Sequence, residues 1–232
     1  QGRPALRAQL LLAAGFRLAA PCTMPGRRRT QTVVLAGRFA RTKGAAIQQL
    51  LADYEGLLGV ASRVTTNAEE TSEEGAPFAL AERDALEEAI ALASGLVEYE
   101  PVGSHYHATT AEAVDAVRGE GKTCLVDASA EGAVFAASAG VDAVFIFLKP
   151  ESPEAAAAHL RDSGASADEV AAALEDLAAE AAVAEQHPEL FAHVLVESAD
   201  VGATAAALAA AVLPTEPPVV ICGPSGVGKG TL

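Results

Sequence analysis

The chain has 232 residues, room for one sizeable α/β domain with additions. Half of it is apolar, yet it has no Trp and only 4% aromatic residues, so Ala, Val and Leu must fill any core. Three widely separated cysteines, Cys22, Cys124 and Cys222, exclude a disulfide framework or a cysteine-based metal motif and suit a reducing compartment.

Residues 1–31 carry six arginines (Arg3, Arg7, Arg17, Arg27, Arg28 and Arg29) and no acid. The apolar run at 10–16 is bounded by Arg7 and Arg17 and is too short to span a bilayer. No aromatic residue interleaves the Arg27–Arg29 cluster, which points to a solvated leader and not to a nucleic-acid patch. The chain starts with Gln1 and its single methionine is Met24. Two readings stay open: an organelle-type transit leader, or translation from Met24 with spurious residues upstream. The expected location is cytoplasmic or organellar accordingly, and the chain itself reads as a fragment.

From residue 32 onward the pattern alternates strands and helices. Continuous apolar runs predict buried strands at 33–36, 123–126, 143–148 and 193–196. Helices are expected at 45–54, 82–93, 110–118, 153–163, 167–185 and 201–211. Apolar strands separated by helices specify a parallel sheet covered on both faces. Between them, His105 and His107 form an H-x-H pair without an evident third ligand, so a loop or solvated role is expected. Asp168, Glu175, Asp176 and Glu180 read as a solvated helix face.

The last residues, 219–232, read VVICGPSGVGKGTL. A buried strand here runs into Gly223, Pro224, Ser225, Gly226, Val227, Gly228, Lys229, Gly230 and Thr231, a phosphate-loop pattern. Glycines let successive N–H groups cradle phosphate oxygens. Lys229 suits the terminal phosphates of ATP, and Thr231 offers a hydroxyl to Mg2+. The helix that should follow aims its N-terminal dipole at the anion.

Residues 32–44, TVVLAGRFARTKG, echo this outline. Both segments end a strand in Gly, and Lys-Gly follows in both. In the early copy Ala40 and Thr42 replace inner glycines, and Ala45 stands where Thr231 does. Lys43 is then the lysine of a degenerate loop whose side chains crowd the phosphate space. The tail is expected to open a second, tandem copy; circular permutation leaves the early strand and loop unexplained.

Several runs carry a family resemblance: LLADY at 50–54, GVAS at 59–62, Thr65-Thr66, ERDAL at 82–86, GKTCLVD at 121–127, VFIFLKPES at 144–152 and FAHVLV at 191–196. In order and spacing they resemble the guanylate kinase family across residues 32–213. The resemblance implies a phosphate-loop α/β core, a GMP-binding lobe at 63–110, a lid near 155–173, and phosphoryl transfer from Mg-ATP to GMP. It implies a domain division into a leader at 1–31, a degenerate domain at 32–213, and a linker plus the start of a second domain at 214–232.

The same resemblance places a partial GMP pocket at Glu98, Tyr106, Thr109 and Asp127. The arginines that grip the GMP phosphate fall on Asn67 and Glu70, and a phosphate tyrosine on Phe78. A pocket serine falls on Arg63, and a guanine-reading aspartate on Ser129. The lid run His159-Leu160-Arg161-Asp162-Ser163-Gly164 lacks its arginines in register, and a further one falls on Ala173. Phosphoryl transfer depends on cations that offset charge in the transition state. Residues 44–213 hold six basic against thirty acidic side chains, a poor field for nucleotides. The expectation is a guanylate kinase at the level of the parent protein, with this copy impaired. The alternative is a non-catalytic scaffold or regulatory domain with a protein partner; neither nucleic acid nor membrane is expected as a partner.

Overall fold

The computed structural model describes residues 31–38, 40–71 and 78–213. The leader readings and the terminal loop Gly223–Thr231 lie outside the described residues.

Two sheets organise the fold. The first is a five-stranded parallel sheet of β1 (Thr32–Ala36), β2 (Leu58–Val60), β7 (Thr123–Ala128), β8 (Ala143–Lys149) and β9 (Phe191–Val196), in the order β2-β7-β1-β8-β9. Its central strands are apolar at nearly every position because both faces are covered. Val34, Val126 and Phe147 face one layer, whereas Val33, Leu35, Leu125, Ile146 and Leu148 face the other. The first layer contains α3 (Ala111–Gly119), α4 (Ala130–Ser138) and the end of α6 (Ala167–Gln186); the second contains α1 (Lys43–Asp53) and α7 (Val201–Val212). Alanines such as Ala46, Ala205 and Ala209 let α1 and α7 lie close to the sheet and to each other. The α/β class expected from the alternating pattern is the observed one.

Helix starts follow local chemistry. Thr110, Ser129 and Ser152 accept a hydrogen bond from a backbone N–H in the first turn of α3, α4 and α5 (Pro153–Asp162), respectively. Ser166 and Glu169 close a reciprocal capping box on α6, and Asp200 caps α7. No helix among the described residues is long and apolar enough to cross a membrane.

The second sheet lies within residues 63–110, where a separate lobe was expected. Its order is β4-β3-β6-β5, from β4 (Phe78–Leu80), β3 (Arg63–Thr65), β6 (His105–Thr110) and β5 (Leu96–Val102). It is antiparallel except between β3 and β4. One face packs on α2 (Arg83–Leu92) through Leu86, Leu96 and Ala108. None of these four strands, nor β2 or α4, is apparent from periodicity. The strands are short or polar on one face, and α4 is so rich in small apolar residues that no stripe stands out.

Two sequence expectations are overturned here. The H-x-H pair sits on strand β6 with side chains only 18% and 13% exposed, neither in a loop nor freely solvated. Glu180 does not belong to a solvated face. Asp168, Glu175 and Asp176 are exposed, but Glu180 is buried. It lies on the buried stripe of Val170, Leu177 and Ala184.

Candidate functional site

The loop after β1 turns sharply at Gly37, whose φ is +123°. A Cβ at this position meets the Leu148 carbonyl oxygen at 2.0 Å, so only glycine fits. The loop then leads to Lys43 at the start of α1, with Ala40 and Thr42 both buried. Thr42, expected from its bulk to crowd a phosphate space, is hydrogen-bonded to Glu197. Its hydroxyl donates to Glu197 Oε2 at 2.9 Å and its N–H donates to the same oxygen at 3.0 Å.

What fills the cup is a carboxylate from far along the chain. Glu180 Oε1 accepts from the Arg38 and Ala130 N–H groups, each at 3.0 Å, and Oε2 accepts from Arg38 N–H at 3.0 Å. Ala130 is the first residue of α4, so one carboxylate joins the loop to a helix N-terminus. These N–H groups are the kind that cradle phosphate oxygens. Lys43 is equally engaged: its Nζ lies 2.6 Å from Asp127 Oδ1 and donates to the Ala128 carbonyl at 3.2 Å. Among the described residues of this loop, Ala45 stands at the hydroxyl position and Glu180 holds the Arg38 N–H.

Strand parity decides which lobe residues meet. Glu98 pairs with Thr109 across β5 and β6, and Glu100 pairs with His107. Arg63 pairs with Thr109, and Thr65 with His107, across β3 and β6. These residues share the face that looks toward the loop. Thr109 Oγ1 donates to Glu98 Oε1 at 2.7 Å. Asp127 lies near enough to act on Glu98 electrostatically. Three of the four expected GMP residues therefore converge.

Tyr106 does not join them. Side chains alternate along a strand, and Tyr106 packs on the opposite face with Tyr99 against Leu86, Leu96 and Ala108. His107, two residues before Thr109, holds the site-facing place instead. Ser129, expected near the base, is buried and accepts from the Gly132 N–H at 3.0 Å as the cap of α4.

Arg63 takes up the space beside Glu98. Its Nε lies 3.6 Å from Glu98 Oε1 and its Nη2 lies 3.6 Å from Glu100 Oε2. These distances give charge attraction without hydrogen bonds, and Glu98 Oε2 has no hydrogen-bond partner. Burial pushes the Glu98 carboxyl up to about 7, against the opposing pull of Arg63 and the Thr109 hydroxyl; Glu100 and Asp127 add to the rise. Arg38 Nε also pairs with Glu100, at 2.6 Å.

Between loop and lobe lies a cleft of about 650 Å³, lined by Arg38, Glu100, His107, Glu131, Asp176 and Glu180 among others. Among the described residues, four carboxylates and one guanidinium line it, an unfavourable field for a nucleotide polyanion. Sequence reasoning missed Glu180, Glu197 and Glu100. Glu180 had a readable signal, an acid on an otherwise apolar helical stripe. Glu197 and Glu100 had none, because their partners are set by tertiary contacts.

Residues 29–213 match the family model described as guanylate kinase. The chain is 32% identical over 166 residues to guanylate kinase 1 of Oryza sativa subsp. japonica, covering 71% of this chain and 43% of the relative. It is 28% identical over 138 residues to guanylate kinase 1 of Arabidopsis thaliana, covering 59% and 35%. The guanylate kinase of Neisseria meningitidis serogroup A is 27% identical over 147 residues, with 63% and 71% covered. The chain thus spans less than half the length of the two plant relatives. A crystal structure of guanylate kinase from Anaplasma phagocytophilum superposes with a TM-score of 0.55 at 20% identity, over 80% of this chain and 86% of that one, a likeness of fold. With the family model matching most of the chain, from before β1 to the end of α7, the chain belongs to the guanylate kinase family.

Proposed function

We propose that residues 32–213 are a guanylate-kinase-like module that no longer transfers phosphoryl groups. The parent protein converts ATP and GMP to ADP and GDP with Mg2+ at a second copy, whose phosphate loop begins at Gly223. The observation that carries this reading is the Glu180 carboxylate on the N–H groups of Arg38 and Ala130. A tethered carboxylate meets no translational cost in reaching the cup, whereas a phosphate must displace it against repulsion from Glu100, Glu131 and Asp176. Lys43 is held on Asp127 at the same time. Thus the anion site is answered from within the chain. Glu98, Thr109 and Asp127 remain together as the residue of a base pocket, with Arg63 beside them.

The test is GMP-dependent ADP formation from Mg-ATP. Residues 1–232 are expected to give none above background, and a chain continuing past Leu232 to give turnover. GMP-dependent turnover by residues 1–232 overturns the reading. A companion measurement probes the cup directly: Glu180→Ala gains thermal stabilisation from inorganic phosphate that the unsubstituted chain lacks. Equal responses in both proteins remove the plug from the explanation.

A second reading, a scaffold or regulatory module, is favoured by one feature. Strand β9 is an edge of the main sheet, with Val194 57% and Val196 51% exposed. Silence of the extended chain in the same assay selects this reading over the first.

A further inference from the structure

We propose that Glu70, His105 and His107 form a binding site for a divalent first-row transition-metal ion of the zinc class. The site lies in the lobe and is separate from the loop. His105 and His107 stand two residues apart on β6, so strand alternation turns both imidazoles to one face. Glu70, on the short 3-10 turn over Ala68–Thr71 that follows β3, reaches the same point. His107 Nε2 lies 2.8 Å from Glu70 Oε2, and His105 Nε2 lies 3.1 Å from Glu70 Oε1. One donor atom from each residue falls within 4.8 Å of the other two.

Ligand atoms at about 2.0–2.2 Å from a tetrahedral zinc ion stand roughly 3.3 Å apart, close to the His–Glu70 separations of 3.1 and 2.8 Å. The surroundings hold the ligands for this use. Thr65 Oγ1 donates to Glu70 Oε2 at 2.6 Å, fixing the carboxylate from behind as supporting hydrogen bonds do at metal centres. Phe78 stacks on the His107 ring at 4.2 Å and 25°, limiting its rotation. His105 Nε2 is buried and makes no hydrogen bond of good geometry, so it keeps a lone pair or proton without an outlet. Two imidazoles and one carboxylate favour zinc, cobalt or nickel over magnesium or calcium, which prefer all-oxygen shells.

This assignment is independent of the phosphoryl-transfer reading. It concerns residues that stand where a phosphate-gripping arginine and its neighbours were expected, at Glu70 and Phe78. A metal ion there restores positive charge to a face that has lost it.

The full chain is titrated with Co2+ and then Zn2+, following visible absorption and thermal unfolding. The expected result is one equivalent of cobalt with the strong visible bands of a low-symmetry four- or five-coordinate site, displaced by zinc but not by excess Mg2+. Glu70→Gln and His107→Ala are each expected to weaken binding by about 100-fold or more and to abolish the metal-induced rise in unfolding temperature. Glu70→Gln preserves shape, so it remains informative if His107→Ala fails to fold. The proposal is overturned by no stoichiometric binding, by binding unchanged in Glu70→Gln, or by a thiolate-to-cobalt band that assigns the metal to Cys22, Cys124 or Cys222. Displacement by Mg2+ also overturns it.

Discussion

The two ends of the cleft treat their polar groups in opposite ways. At the loop end, donors built to hold an anion are satisfied by Glu180 and Glu197, both buried. At the lobe end, Glu70, His105 and His107 are packed together with donor capacity left over, since His105 Nε2 lacks a hydrogen bond. Where the backbone amides are fixed by the sheet, they need an anion whatever the protein does, and a carboxylate supplied from α6 meets that need. Where side chains line the cleft instead, as at Glu70, His105 and His107, the chemistry follows from residue identity alone.

The comparison breaks most severely at the turn itself. Gly37→Ala places a Cβ 2.0 Å from the Leu148 carbonyl oxygen at a φ of +123°, and should cost more than about 4 kcal/mol in urea unfolding. If the loss is small, the loop end is more pliable than the rigid amide frame requires.

Glu98 comes next, between the two ends. Its carboxyl ordinarily titrates at 4.5 but does so at about 7 in the fold, so folding takes up a proton between these values. Its contribution is fully present below about pH 4.5 and is lost as pH rises through about 7, amounting to about 3 kcal/mol. Glu98→Gln should remove that dependence, becoming more stable than the unsubstituted chain above about pH 7 and matching it near pH 4.5. Parallel unfolding curves at the two pH values decide this, and an unchanged slope removes the buried charge as the cause.

Glu180→Ala removes the carboxylate that accepts from the Arg38 and Ala130 N–H groups and should cost about 2 kcal/mol. By contrast, Glu70→Gln in metal-free protein changes a partly exposed carboxylate, 28% accessible, and should shift stability by less than about 1 kcal/mol. Measured together by urea unfolding, the pair sharpens the contrast. Equal costs erase it.

Much of the architecture was legible in the chain itself. Apolar runs gave the central strands to within a residue or two of their observed ends, because a strand buried on both faces admits little else. Helical periodicity marked the long helix α6, expected at 167–185 and observed at Ala167–Gln186, and the echo between 32–44 and 219–231 marked the loop. The lobe was located through family likeness, yet its strands were not, since short strands with one polar face have no strong period. Tyr106 was misassigned for the same reason: one residue of register moves a side chain to the other face.

Sequence alone therefore determined the parallel core, the helix starts, the loop and the family, all properties of neighbours along the chain. Only the tertiary structure decided who answers the loop. Glu180 bonds Arg38 across 142 positions and Glu197 bonds Thr42 across 155. A carboxylate is written the same way whether it faces water or plugs an amide cup. Its role is fixed by the helix stripe it rides on and by the donors it meets, and those exist only once the sheet has brought distant segments together.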